Sequence, residues 1–131
     1  MTDRAKLPAC VRDYLEAYET GRAELIDRCV GPGALYMNVT HERGMRADGI
    51  DGVREIMRGI HELYSGIRIT LIEAHVDPAD NGEIVRLAYM LDATSEVTIK
   101  DGFQSGQHIH LAGRMALKVE VGKLVKIFES S

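Results

Sequence analysis

The sequence lacks the features that mark membrane proteins, nucleic-acid-binding proteins and secreted proteins. No apolar run approaches the ~20 residues of a membrane-spanning helix, and no apolar segment of a signal peptide follows the charged residues 1–6. The net charge is −4, and the 16 basic residues are scattered among 20 acidic ones. Binding to a phosphate backbone requires clustered Lys and Arg. We therefore expect a cytoplasmic protein that binds neither membranes nor nucleic acids.

Cysteine is scarce, and the common cofactor motifs are missing. Cys10 and Cys29 are the only cysteines, and their spacing fits no metal site, so we expect small buried thiols and no disulfide. The sequence contains no glycine-rich phosphate loop, no nucleophile elbow and no zinc-type spacing. These absences predict a protein without a cofactor or a bound metal.

The first half of the chain has the apolar spacing of helices. Residues 9–20 predict a helix with Gly21 as its C-cap, and residues 22–30 predict a short second helix that ends before a Gly-Pro-Gly sequence. Residues 50–64 carry a wide apolar stripe, which predicts a third helix packed against a sheet.

Between the second and third helices, residues 34–40 predict a short strand. Residues 41–48 are polar and predict a loop, in which His41 is a weak candidate for the mouth of a pocket.

The second half changes to the two-residue period of strands. Residues 107–121 alternate for fifteen positions, which is typical of a long, half-buried and twisted strand. Residues 67–76 and 83–92 predict two more strands, joined at Asn81-Gly82, a pair that favours a type I′ turn. A last strand is expected over residues 124–128. Helices followed by a meander of strands indicate an α+β fold in a single domain, residues 1–131.

Three segments together resemble the nuclear transport factor 2-like superfamily, which includes ketosteroid isomerases and polyketide cyclases. The first segment is Tyr-Leu-Glu-Ala-Tyr-Glu-Thr-Gly at residues 14–21, followed by a short helix and a strand at residues 34–38. The second is Asp-Gly-Ile-Asp-Gly-Val at residues 48–53, and the third is the Val-Gly-Lys-Leu turn at residues 121–124. The resemblance covers nearly the whole chain. It implies a cone-shaped α+β barrel, with three N-terminal helices packed in a curved, mainly antiparallel sheet.

The resemblance also shows where this chain departs from ketosteroid isomerases. Tyr14 matches the helix-1 tyrosine that donates to the developing oxyanion in those enzymes. Their basic aspartate falls at Asn38, and their second oxyanion donor, an acid, falls in residues 113–115, which contain no acid. Because an amide cannot take a proton from carbon, the steroid-isomerase mechanism is disfavoured.

The candidate catalytic residues are Tyr14, Asn38 and Glu129. Tyrosine hydroxyls and an amide could hold a ligand oxygen, or the tyrosines could simply pack in the core and bond locally. Glu129 could face an apolar cavity that raises its pKa, or it could be a frayed terminal residue. The residues expected to line the pocket are Tyr14, Tyr18, Tyr36, Asn38, Met57, Tyr89, Met115, Ile127 and Glu129.

His108 and His110 share one face of the long strand, where two imidazoles could bind a metal. A metal site also needs further ligands, and no acid follows at useful spacing on that strand face, where Arg114 and Lys118 are the next charged residues. The alternative is that this face points outward, to solvent or to a second subunit. A bulge near Gly113 could reverse the orientation of these side chains, so the pattern leaves their inward or outward direction open.

These observations predict a cone barrel that binds a small hydrophobic ligand bearing an oxygen. If the protein is an enzyme, we expect a cofactor-free isomerase, cyclase or dehydratase. One alternative is a non-catalytic homodimer that associates through the outer sheet face, where Ala112 and Ala116 lie among longer polar side chains. A histidine-based metal enzyme is a further alternative.

Overall fold

The computed structural model describes residues 3–40 and 43–131, in which three α-helices combine with a six-stranded sheet. The helices are α1 (Ala9–Thr20), α2 (Ala23–Cys29) and α3 (Gly49–Leu63). The strands are β1 (Val30–Thr40), β2 (Arg43–Asp48), β3 (Tyr64–Ala79), β4 (Gly82–Ser95), β5 (His108–Glu120) and β6 (Lys123–Ser130). The helices and the long strands therefore follow the predicted order.

The strands are arranged β2-β1-β6-β5-β4-β3 in one curled sheet. Every neighbouring pair is antiparallel except β1 and β6, which are parallel. The predicted α+β cone with a mainly antiparallel sheet is thus confirmed. The parallel pair is important for the site, because it places Asn38 directly opposite Glu129.

The helices lie against the concave face of the sheet, and the core is formed between the two layers. The alternation of β5 places Met115, Leu117 and Val119 in this core, all at most 5% exposed. Helix α1 is fastened to β3 by Glu19, which pairs with Arg4 at 2.6 Å and accepts the Ile69 N–H at 2.9 Å. These contacts hold the C-terminal end of α1 against β3.

Strand β2 corrects the loop predicted over residues 41–48. Residues 43–48 pair antiparallel with β1 at the edge of the sheet. Arg46 and Asp48 form an exposed ion pair there, and such charges are usual on edge strands. These charges made the segment resemble a loop in the sequence. His41 lies outside the described residues.

The turn between β3 and β4 differs from the type I′ turn predicted at Asn81-Gly82. Ala79 pairs with Gly82, so Asp80 and Asn81 are the central residues, and of these two only Asn81 has a positive φ, 63°. A type I′ turn requires a positive φ at both. Gly82 instead belongs to β4, where a Cβ would lie 1.8 Å from the Val119 carbonyl oxygen. Close packing of two strands, and not the turn, requires this glycine.

Cys10 and Cys29 are buried free thiols, as predicted. Among the described residues, no helix combines the length and the apolar character needed to cross a membrane.

Candidate functional site

Glu129 is a buried carboxylate near the end of β6. It is 1% exposed, so the alternative of a frayed terminal residue is wrong. The reason is its position between two paired strands, with Asn38 of β1 on one side and Met115 of β5 on the other. The last strand is therefore held in the sheet almost to the end of the chain.

Four side chains donate hydrogen bonds to this carboxylate. The Tyr14 hydroxyl donates to Oε2 at 2.6 Å. The hydroxyls of Tyr18 and Tyr36 donate to Oε1 at 2.9 and 2.8 Å, and Nδ2 of Asn38 lies 3.3 Å from the same oxygen. Both oxygens of Glu129 are thus provided with donors.

Helical and strand periodicity together bring these donors to one point. Tyr14 and Tyr18 are four residues apart and share one face of α1, where their rings meet edge to face with centroids 5.8 Å apart. Tyr36 and Asn38 are two residues apart and share one face of β1. The three tyrosines are buried, but their hydroxyls bond a carboxylate that is distant in sequence, which excludes merely local bonding.

Burial raises the pKa of Glu129, and the hydrogen bonds from Tyr14, Tyr36, Tyr18 and Asn38 act in the opposite direction. Burial also raises the pKa of the three tyrosines, and the nearby charge of Glu129 raises them further. The phenols consequently stay protonated at neutral pH and remain donors. Within this cluster, Glu129 is the group that can exchange a proton.

A cavity of about 260 Å³ adjoins the cluster. Its polar lining includes Tyr18, Asn38 and Glu129. The rest of the lining is mainly apolar and includes Leu91 and Ile109. A ligand in this cavity would lie beside the Glu129 carboxylate.

Tyr89 of β4 supplies a further hydroxyl to this cavity. Its side chain lines the cavity, and its hydroxyl makes no hydrogen bond to the described part of the chain. The ring lies over Gly113, where a Cβ would be 2.5 Å from the Tyr89 hydroxyl oxygen. Gly113 therefore makes room for a phenol that can donate to a bound molecule.

The structure divides the nine predicted pocket residues into three groups. Tyr18, Asn38, Tyr89 and Glu129 line the cavity. Tyr14 and Tyr36 reach the site through their bonds to Glu129 but do not line this cavity. Met57, Met115 and Ile127 do not line it either, because all three are at most 4% exposed and pack in the core.

Several lining residues were not anticipated from the sequence. Tyr64 begins β3, and Phe103 lies in the loop between β4 and β5. Phe103 carries no periodic signal, because a loop side chain is placed by tertiary contacts alone. Ile109 and Leu111, in contrast, belong to the apolar face that the alternation of β5 predicted, and both line the cavity.

His108, His110 and Arg114 are exposed on the outer face of the sheet. The sequence indicated no acidic partner for the two histidines. In the structure, Asp92 of β4 pairs with His110 across the ladder. Its Oδ1 lies 3.2 Å from Nε2 of His108 and 2.7 Å from Nδ1 of His110. The hydrogen bond from His110 lowers the pKa of Asp92. No group of three His, Cys, Asp or Glu side chains in residues 3–40 and 43–131 is arranged to hold a metal ion.

A model of the SnoaL-like domain family matches residues 11–127. The chain belongs to this family. The membership agrees with the resemblance drawn from the sequence, which included polyketide cyclases, and solved structures described as polyketide cyclases of this kind share the fold. No curated protein matches the chain significantly in sequence.

Three solved structures illustrate the likeness. A proposed polyketide cyclase from Acidithiobacillus ferrooxidans has a TM-score of 0.75 at 18% identity, covering 98% of this chain and 89% of its own. A nuclear transport factor 2-like protein from Salmonella enterica serovar Typhimurium has a TM-score of 0.75 at 14% identity, with coverages of 97% and 89%. An LEH-like epoxide hydrolase from M. tuberculosis has a TM-score of 0.71 at 13% identity, with coverages of 94% and 80%. At these identities the likeness establishes the fold.

Proposed function

We propose that this SnoaL-like protein binds a small, mainly apolar ligand bearing an oxygen, and that Glu129 exchanges a proton with it. The observation that carries the proposal is the buried Glu129 carboxylate, which is held by four donors and lines a mainly apolar cavity. A carboxylate with a raised pKa is suited to general acid–base catalysis near neutral pH.

The reaction class we propose is cofactor-free proton transfer next to a carbonyl group. Ionised Glu129 takes a proton from the carbon beside the carbonyl, the electron pair of the broken C–H bond forms the C=C bond of an enolate, and the π pair of the carbonyl moves onto its oxygen. Tyr14, Tyr18 and Tyr36 already donate to Glu129. Of the two other phenols that line the cavity, Tyr89 and Tyr64, only Tyr89 lies close enough to Glu129 to be affected by its charge, so the Tyr89 hydroxyl is the donor for this oxygen.

Return of the proton to the far carbon of a conjugated enolate completes an isomerisation. In a cyclisation the enolate carbon instead bonds to a second carbonyl carbon, whose oxygen takes the proton, and in a dehydration a β-hydroxyl group leaves with the proton as water.

The position of Glu129 offers a physical reason for an amide, and not a carboxylate, at position 38. The resemblance to ketosteroid isomerases places their basic aspartate at Asn38, and Glu129 is its direct partner in the neighbouring strand. A carboxylate at both positions would bring two like charges together in a buried site. Because position 38 is an amide, Glu129 on β6 is the single carboxylate of this pair, and Asn38 on β1 donates a hydrogen bond to it.

The test is the conversion of 3-cyclohexen-1-one to its conjugated isomer, followed by ultraviolet absorbance, together with deuterium uptake beside the carbonyl of a small ketone panel. We expect Glu129→Gln to lower the rate by about 10²–10⁴-fold, the usual contribution of a general base. Glu83→Gln, at an exposed position of β4, is the matched control. Absence of both isomerisation and deuterium uptake in the wild-type protein would contradict the catalytic proposal.

We also propose that the protein forms a homodimer through its outer sheet face. Phe128 is 41% exposed there, and its cross-strand neighbours are Met37 of β1 and Ala116 of β5. A large exposed aromatic next to small and apolar residues favours an interface that packs against its own copy. The non-catalytic function that this interface would support is that of a dimeric binding module.

A further inference from the structure

A second apolar groove lies between β2 and α3. Its volume is about 440 Å³, larger than that of the cavity beside Glu129. Its lining is largely apolar and includes Met45 and Leu63, which remain 55% and 37% exposed. Exposed apolar side chains in a concave surface favour the binding of a hydrocarbon group.

This groove is adjacent to the candidate site. Asn38 and Ile60 line both the groove and the cavity. Tyr36 also lines the groove, and its hydroxyl donates to Glu129 at 2.8 Å. The groove and the carboxylate are therefore separated only by side chains that belong to the site itself.

Gly59 of α3 leaves the groove open. Gly52 and Gly59 both line it, but Gly52 packs closely on β2, where an added Cβ would lie 2.9 Å from the Cβ of Ala47. A Cβ added at Gly59 would meet no atom within 4 Å, so the space above this residue is free. Glycine is an unfavourable residue within a helix, and a large side chain at position 59 would project into the groove.

We propose that this groove holds the hydrocarbon tail of the ligand whose oxygen-bearing end lies beside Glu129. The inference rests on the proposed function and specifies the ligand further. The cavity alone, at about 260 Å³, is smaller than a typical ligand site, which has about 300–1,000 Å³. A ligand that continues past Asn38 and Ile60 would use both spaces. The substrate class is then a carbonyl compound with an aliphatic or aromatic tail.

The test is a series of methyl ketones, from 2-butanone to 2-decanone, whose dissociation constants are measured by ligand-detected NMR. In the wild-type protein, we expect the affinity to rise about fourfold for each added methylene until the groove is filled, the gain expected for burying a CH₂ group. Gly59→Leu places a side chain in the groove and should abolish this rise for the longer ketones. Met45→Ser provides a second variant, which should make the rise shallower because it removes an apolar lining residue.

Glu62→Leu is the matched control, because it adds a leucine to α3 at a position that is 62% exposed and does not line the groove. It should keep the full dependence on chain length, and thermal unfolding of each variant checks its folding. If Gly59→Leu and the wild type respond equally to chain length, the tail lies elsewhere and the groove proposal is overturned, whereas the proposed function stands. If no ketone of any length binds the wild type, both proposals are overturned.

Discussion

Removal of the Tyr14 hydroxyl should destabilise the protein, and the loss should grow with pH. In the described chain, Tyr14 is the sole donor to Oε2 of Glu129, whereas Oε1 accepts from Tyr18, Tyr36 and Asn38. A hydrogen bond to a charged group contributes about 1.5–3 kcal/mol, and one between neutral groups about 0.5–1.5 kcal/mol. Tyr14→Phe should therefore lower the free energy of unfolding by about 1.5–3 kcal/mol when Glu129 is ionised, and by less when it is protonated.

The sign of the pH dependence follows from the direction of the pKa. Burial raises the pKa of Glu129 above its value in the unfolded chain, which is about 4.3. The stability that neutral Glu129 contributes is fully present below the unfolded pKa and is lost as the pH rises through the folded pKa. Because Tyr14 favours the ionised form, Tyr14→Phe raises the pKa of Glu129 further and makes this loss larger.

The measurement is urea unfolding followed by far-ultraviolet circular dichroism at pH values from 5 to 9, under reducing conditions. Tyr64→Phe is the matched control, because the Tyr64 hydroxyl has no hydrogen bond within the described residues and its removal should have a small effect without pH dependence. Tyr18→Phe should have an intermediate effect, since Oε1 keeps two other donors. A Tyr14→Phe loss below about 0.5 kcal/mol that is constant with pH would refute the reasoning, because it would be smaller than one neutral hydrogen bond.

Three further predictions concern the turn, the cavity and the outer sheet face. Val121 and Gly122 have φ values of 48° and 72° in the β5–β6 turn, so Val121→Asn should raise the free energy of unfolding by about 1 kcal/mol, and Val121→Thr should not. Urea unfolding measures both. Gly113→Ala should displace the Tyr89 ring, lower stability by about 1–3 kcal/mol and weaken ketone binding; a crystal structure with an unmoved ring would contradict this. Phe128→Glu should convert a dimer to a monomer in light scattering, and a monomeric wild type would contradict the dimer proposal.

The sequence predicted the helices and long strands because their burial is periodic. The alternation of residues 107–121 and the apolar stripe of α3 reappear in the structure as β5 and as a helix covering the sheet. Strand β2 was missed because a short edge strand carries charges that also suit a loop. Local pattern therefore identified the elements that build the core, but not the edge of the sheet.

The candidate site was predictable as residues but not as an arrangement. Tyr14, Asn38 and Glu129 were each selected from the sequence, but their meeting depends on the parallel pairing of β1 with β6, which no local pattern specifies. The same limit applies to Asp92, which reaches His108 and His110 only through the pairing of β4 with β5. Contacts across the ladder arise from strand order and register, and these are decided by the whole fold.

The most direct test of the central claim is the titration of Glu129 itself, measured by NMR of protein labelled with ¹³C at the glutamate carboxyl carbons. Glu129→Gln assigns the resonance, because it removes one signal. We predict that Glu129 titrates above the ordinary pKa of a glutamate and that 2-hexanone shifts its resonance. A carboxyl that titrates at or below the ordinary value, with a resonance that saturating ketone does not shift, would contradict a proton-exchanging group in a ligand cavity.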